Sequence, residues 1–202
     1  MGYSLKSSVL AICLLAISIP LSAQRGADTV PRSLDVLVDR AQTIVHGHVL
    51  SARVEPHPQL TNLQTVVIEL KVDEVLKGKT AGTMTFRQYV WDVRDRYDSA
   101  GYAKGLELLL LLNPTSEYGL TSPTGMGQGR FRIIRQGKSK VLAVNEVGNL
   151  GLFHGTAQAA SRKGITLSPR VRTMVAQSKQ GPVALDDLEQ FIRTWNAGAR
   201  GK

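Results

Sequence analysis

In the stretch "TIVHGHVLSARV", residues 43 to 54, two histidines stand two positions apart, His46 and His48. In a β-strand, side chains alternate with period two, so both imidazoles would leave the sheet on one face. That is the placement a strand-borne zinc pair needs. A zinc site also needs a third and usually a fourth ligand. The other histidines are His57, in the proline-flanked "EPHPQ", and His154, in "LFHGT", and nothing in their spacing makes them converge on the pair. With Val45, Gly47 and Val49 as the inward side, His46 and His48 are expected outside, as polar surface. The expectation is therefore no metal and no cofactor. A third nitrogen or carboxylate within reach of both imidazoles would promote the metal reading.

Other reactive patterns are weaker. "GLTSPTGMGQG" holds serine and several glycines, but it lacks G-x-S-x-G and has no G-K-[ST] end before a helix. The carboxylate pairs Asp73-Glu74 and Asp186-Asp187 are adjacent in sequence and read as a strand end and a helix start. No catalytic residue is assigned, and the chain is expected not to be an enzyme. The most informative polar stretch is "RQYVWDVRDRYDSAGYAKG", where Tyr89, Trp91, Tyr97 and Tyr102 interleave with Arg87, Arg94 and Arg96 in a chain only 5% aromatic. Loops on a rigid scaffold carry binding residues, and Tyr, Trp and Arg are the usual hot-spot types. Trp91, Arg94, Arg96 and Tyr97 are the candidate partner-binding residues. The alternative is that Tyr89 and Trp91 continue a strand and cap the core.

The compartment is read from the amino terminus. "MGYSLKSSVLAICLLAISIPLSAQ" has one basic residue, Lys6, then an apolar run from Val9 to Ile19, then Pro20 and small residues ending at Ala23. This is the pattern of a secretory signal peptide over residues 1–23, with an apolar core too short to span a bilayer. No other segment supplies the required apolar length. Lipidation at Cys13 fits poorly, because Ile12 occupies a small-residue position. Cys13 is the only cysteine, so a mature chain would have no disulfide, no cysteine catalysis and no thiolate zinc site. Localisation is expected to be periplasmic or extracellular. Loss of Lys6 leaves 24 basic residues against 16 acidic. The excess is concentrated between Arg130 and Lys179, with ten Lys/Arg and one acid, Glu146. That asymmetry suits an anionic partner or an ordinary solvated basic face.

The elements that would position these residues are mostly strands. Leu34, Leu37 and Val38 have short helical spacing, with Ser33 as N-cap. "TVVIELKVDEVLKGK" alternates: Val66, Ile68, Leu70 and Val72 form one side and Val67, Glu69, Lys71 and Asp73 the other. "GTMTFRQYV" points Met84 and Phe86 inward. The continuous leucines of "LELLLLLNP" suit a strand buried on both faces. "GRFRIIR" and "KVLAVN" form a hairpin around Gly137. Gly47 lets its strand bend or lets another backbone approach. Five or six closely spaced strands point to a small antiparallel barrel or sandwich, the barrel preferred. Leu185, Leu188, Ile192 and Trp195 mark a final amphipathic helix, with acids in its first turn and Gly198 as its stop. The expected division is signal peptide 1–23, β-barrel domain 24–155, basic connecting segment 156–183 with one short helix from Ser168-Pro169, and helix and tail 184–202.

"AQTIVHGHV", "TVVIELKVDEVLKG", "GLELLLLL" and "GQGRFRI" together resemble a group of exported bacterial proteins with a barrel like the netrin module of tissue inhibitors of metalloproteinases. The resemblance spans about residues 40–145 and implies an oligonucleotide/oligosaccharide-binding (OB) type barrel; its most specific part is the alternating strand closed by Leu76-Lys77-Gly78. The animal inhibitors reach the protease zinc through an amino-terminal cysteine, which a chain beginning at Gln24 would lack. Inhibition by that route is not available to it.

The expectation is an exported, non-enzymatic OB-like module that binds an envelope or secreted protein, or an anionic surface. The alternatives are an extracytoplasmic protease inhibitor or accessory subunit, and a single-strand nucleic-acid or anionic-polymer binder, since bases stack on aromatics beside basic charge. Export argues against nucleic acid. A metal-dependent hydrolase using His46 and His48 comes last.

Overall fold

The computed structural model describes residues 30–90, 95–137 and 139–200. Among them the chain forms one seven-stranded antiparallel sheet in the order β3-β2-β1-β4-β5-β6-β7. The strands are β1 (Thr43–Pro56), β2 (Gln64–Lys77), β3 (Thr83–Tyr89), β4 (Glu107–Leu112), β5 (Arg130–Gln136), β6 (Lys140–Asn145) and the two-residue β7 (Val183–Ala184). Four helices accompany them: α1 (Leu34–Arg40), α2 (Thr156–Lys163), α3 (Pro169–Gln177) and α4 (Leu185–Arg200), besides a single turn at Asp95–Asp98.

β1, β2 and β3 form a meander, and β4 returns through a long connection to lie beside β1, which is the Greek-key order. The ladder is not closed. β3 and β7 are its two edges, and the only approach to closure in the described residues is one parallel bridge between Arg87 and Leu120. In place of the expected barrel there is an open sheet.

The central strand β4 is buried on both faces, residue by residue. Leu108, Leu110 and Leu112 join Val45, Val49, Val66, Ile68, Leu70, Phe86 and Tyr102 in one core. Leu109 and Leu111 join Ile44, Phe131 and Ala143 in a second core, beneath the four helices. A strand with helices on one face and a second apolar core on the other must be apolar at every position, which is why the leucines run unbroken.

The helical layer extends further than expected. The segment 156–183 contributes two helices, and Ala159, Ala160, Val171, Met174 and Val175 belong to the same core as α4. Leu185, Leu188, Ile192 and Trp195 are buried as the spacing requires, and Phe191 adds to them, its ring stacked on Trp195 at 5.4 Å and 19°. Asp39 of α1 joins the layers, accepting from Trp195 Nε1 at 2.7 Å and pairing with Lys163 Nζ at 2.7 Å. Gly198 does not stop α4, which runs to Arg200. It serves packing instead: a Cβ there would press into the Ile165 side chain. Ser33 takes the N-cap position of α1 without a side-chain hydrogen bond, whereas the Ser168 hydroxyl accepts from Val171 N.

Candidate functional site

Among the described residues, a dense cluster of titratable groups forms on the helix-covered face around the histidine pair. The register places it there. His48 stands opposite Glu107 of β4, and His46 opposite Leu109, so both imidazoles share the Glu107 side of the sheet. On β2 the pairs His46–Glu74 and Gly47–Val72 leave Asp73 as an extra residue. Such a bulge re-aims a side chain, and the Asp73 carboxylate lies 2.6 Å from His48 Nδ1. Gly47 is required at the same point, because a Cβ would fall into the Lys71 carbonyl.

His46 is held from both ring nitrogens. Nε2 is 3.0 Å from Glu107 Oε1 and hydrogen-bonded to it. Nδ1 is 3.0 Å from Glu189 Oε1 of α4, a buried oxygen that has no other partner among the described residues. The Glu189 carboxylate against Nδ1 raises the His46 pKa above its ordinary value; burial opposes the rise and Glu107 adds to it. Burial alone would raise Glu107, but Arg135 and His46 hold it below the usual carboxylate range. Asp73 behaves alike: burial opposes, and His48 and Lys71 prevail to lower it.

Two readings of the pair need correction. His46 is not polar surface: its side chain is 14% exposed, against 41% for His48, because α4 covers this face. A carboxylate does reach both imidazoles, Glu107 Oε2 lying 3.8 Å from His48 Nε2. Yet among the described residues no group of three His, Cys, Asp or Glu is arranged to hold a metal. The physical reason is Arg135, whose Nη2 and Nε donate to Glu107 Oε1 and Oε2 at 2.5 and 2.8 Å. A guanidinium already fills the place of a cation. The remaining histidines do not converge here. His57 is buried; its Nε2 donates to the Tyr118 carbonyl at 2.7 Å and its Nδ1 accepts from the Gln59 and Leu60 amides, which makes it a loop brace. His154 is exposed.

Of the candidate binding residues, Trp91 and Arg94 lie outside the described residues. Arg96 and Tyr97 sit on the turn Asp95–Asp98, both exposed, Tyr97 to 86%. The rest of the stretch is divided between surface and scaffold. Arg87 is structural, donating to Glu55 Oε1 and Thr65 Oγ1, each at 2.6 Å. Tyr102 is core: its hydroxyl donates to Gln88 Oε1 at 3.0 Å, Arg130 lies 4.5 Å above its ring, and burial pushes its pKa up to about 12. The turn is anchored at its carboxy-terminal end. Ser99 Oγ donates to the Ala52 carbonyl of β1, and Arg130 Nη1 of β5 donates to the Ala100 carbonyl at 2.5 Å. Arg130 is itself paired with Glu146.

Sequence reading missed Glu107, Glu189 and Arg135 as a group. They are far apart along the chain, and only strand register and helix docking bring them to His46. Comparison with family models, curated proteins and solved structures gives no match. No helix among the described residues is long and apolar enough to cross a membrane.

Proposed function

We propose that this chain is an exported, non-enzymatic binding module of the OB type, and that its partner surface is centred on Arg96 and Tyr97. The observation that carries the reading is the 86% exposure of Tyr97 on a turn whose carboxy-terminal flank is fixed to β1 and β5. A large aromatic held in water beside a permanent positive charge is unfavourable for a free surface and favourable for a contact, and a turn anchored at one end loses less freedom on binding than a free one. The OB assignment is supported by the Greek-key order of β1 to β4 with β5 alongside and by the partial closure through Arg87 and Leu120, since OB folds are partly open Greek-key barrels. Export is supported by the signal-type amino terminus. The partner is an envelope or secreted protein with an acidic or carbonyl-rich surface to meet Arg96. The test is quantitative capture from a native envelope extract with wild-type protein and the Arg96→Ala/Tyr97→Ala double variant. Loss of a specific captured species with unchanged thermal unfolding supports the reading; equal capture by both proteins overturns it.

A further inference from the structure

The histidine cluster has a property that the binding surface does not use. His46 is gripped between two carboxylates from different layers: Glu107 of β4 through Nε2 and Glu189 of α4 through Nδ1. A neutral imidazole has one N–H and one lone pair, so it can satisfy only one of them and must turn its lone pair toward the oxygen of the other. Only imidazolium suits both. We propose that His46 is a proton-operated clamp between the sheet and α4. Protonated, it bridges Glu107 to Glu189; deprotonated, it leaves the buried Glu189 oxygen without a cation on that side, and the middle of α4 opens more often.

The surrounding charges set the range in which this acts. Facing the cluster are His48 on β1, Lys71, Asp73 and Glu74 on β2, Arg135 on β5, and Glu189 and Arg193 on α4. With Glu107, the carboxylates number four and the lysine and arginines three. One histidine proton therefore makes the cluster neutral. Arg193 pairs with Glu74 and lies 3.4 Å from Glu189 Oε2, so it neutralises one Glu189 oxygen and leaves Oε1 to His46. The apolar stripe of α4 is buried irrespective of pH, so the clamp controls local opening and not wholesale release of the helix.

The sign follows from the raised His46 pKa. The folded state keeps this proton to higher pH than the unfolded chain. The stabilisation is complete below about 6.5, the ordinary histidine value, and is lost as pH rises through the folded-state value. Each unit of elevation corresponds to about a tenfold change in the opening equilibrium.

The experiment is NMR on the chain from Gln24: the His46 titration, and hydrogen exchange of α4 amides corrected for intrinsic rates, from pH 5.5 to 9. The proposal requires His46 to titrate above 6.5. It also requires the opening of Leu188 to Ile192 to rise about tenfold per unit of elevation, while Val66 to Leu70 stay flat. His46→Gln should abolish the rise. Glu189→Gln, which keeps the shape, should bring the His46 midpoint down. A His46 midpoint at or below 6.5, the same rise in His46→Gln, or an unchanged midpoint in Glu189→Gln would overturn it.

Discussion

Replacing Trp195 by alanine tests whether α4 is part of the domain or an attachment. Trp195 is fully buried, stacked on Phe191, bonded through Nε1 to Asp39 and approached by Lys163 Nζ at 4.5 Å from the ring centre. Deleting a buried tryptophan side chain costs about 3–5 kcal/mol. Asp39 would also lose a donor and Lys163 its ring, which places Trp195→Ala toward the upper end. Against a total stability of about 5–15 kcal/mol for an ordinary domain, that is a large fraction. Urea unfolding followed by circular dichroism reads it directly. With a slope of about 1–3 kcal/mol per molar urea, the midpoint should fall by at least about 1 M at unchanged slope. Trp195→Phe, which keeps most of the ring area, should fall between. Ending the chain at Gly181 removes Leu185, Leu188, Phe191, Ile192 and Trp195 together. At about 1.5–3 kcal/mol each, their burial matches the stability of the whole domain, so the truncated chain should be unfolded or insoluble. A loss under about 1 kcal/mol for Trp195→Ala, or a truncated chain with an unchanged melting curve, would refute the reasoning.

Gly47→Ala puts a Cβ into the Lys71 carbonyl at the bulge and should cost about 1–3 kcal/mol in the same urea assay; a neutral result would mean the strands are not that close. Elemental analysis of the purified protein should find no stoichiometric zinc, because Arg135 occupies Glu107; one metal per chain, lost in His46→Ala/His48→Ala, would contradict this. Arg96→Ala and Tyr97→Ala should each change stability by under about 0.5 kcal/mol, as exposed substitutions do, whereas Tyr102→Phe should cost about 1–3 kcal/mol by leaving Gln88 unpaired.

The strands were legible because each is written in a pattern with one physical meaning: alternation in β2 for a face-sorted strand, unbroken leucine in β4 for a strand covered on both sides. The α4 stripe was legible for the same reason, and only Phe191 was overlooked. α2 was not legible. "TAQAASRK" buries mainly Thr156, Ala159 and Ala160, small residues that carry almost no hydrophobic periodicity. Closure of the barrel was not legible either, since alternation says which face is inward and nothing about whether edge strands meet. The histidine cluster fell between the two kinds of information. His46 and His48 were visible as a pair, but Glu107 faces them only through the β1–β4 register, Asp73 only through the β2 bulge, and Glu189 only once α4 docks. Composition singled out the aromatic stretch but could not sort it: Tyr102 and Tyr97 look alike in sequence, and only the fold puts Arg130 above one ring and solvent around the other.

Placing a photo-crosslinking phenylalanine derivative at position 97, with position 118 as an exposed tyrosine control, tests the binding surface most directly. Irradiation in native envelope should give a discrete adduct from position 97 that is absent from position 118 and reduced by Arg96→Ala. No adduct at either position, or the same adducts from both, would contradict the assignment of Arg96 and Tyr97 as the partner surface.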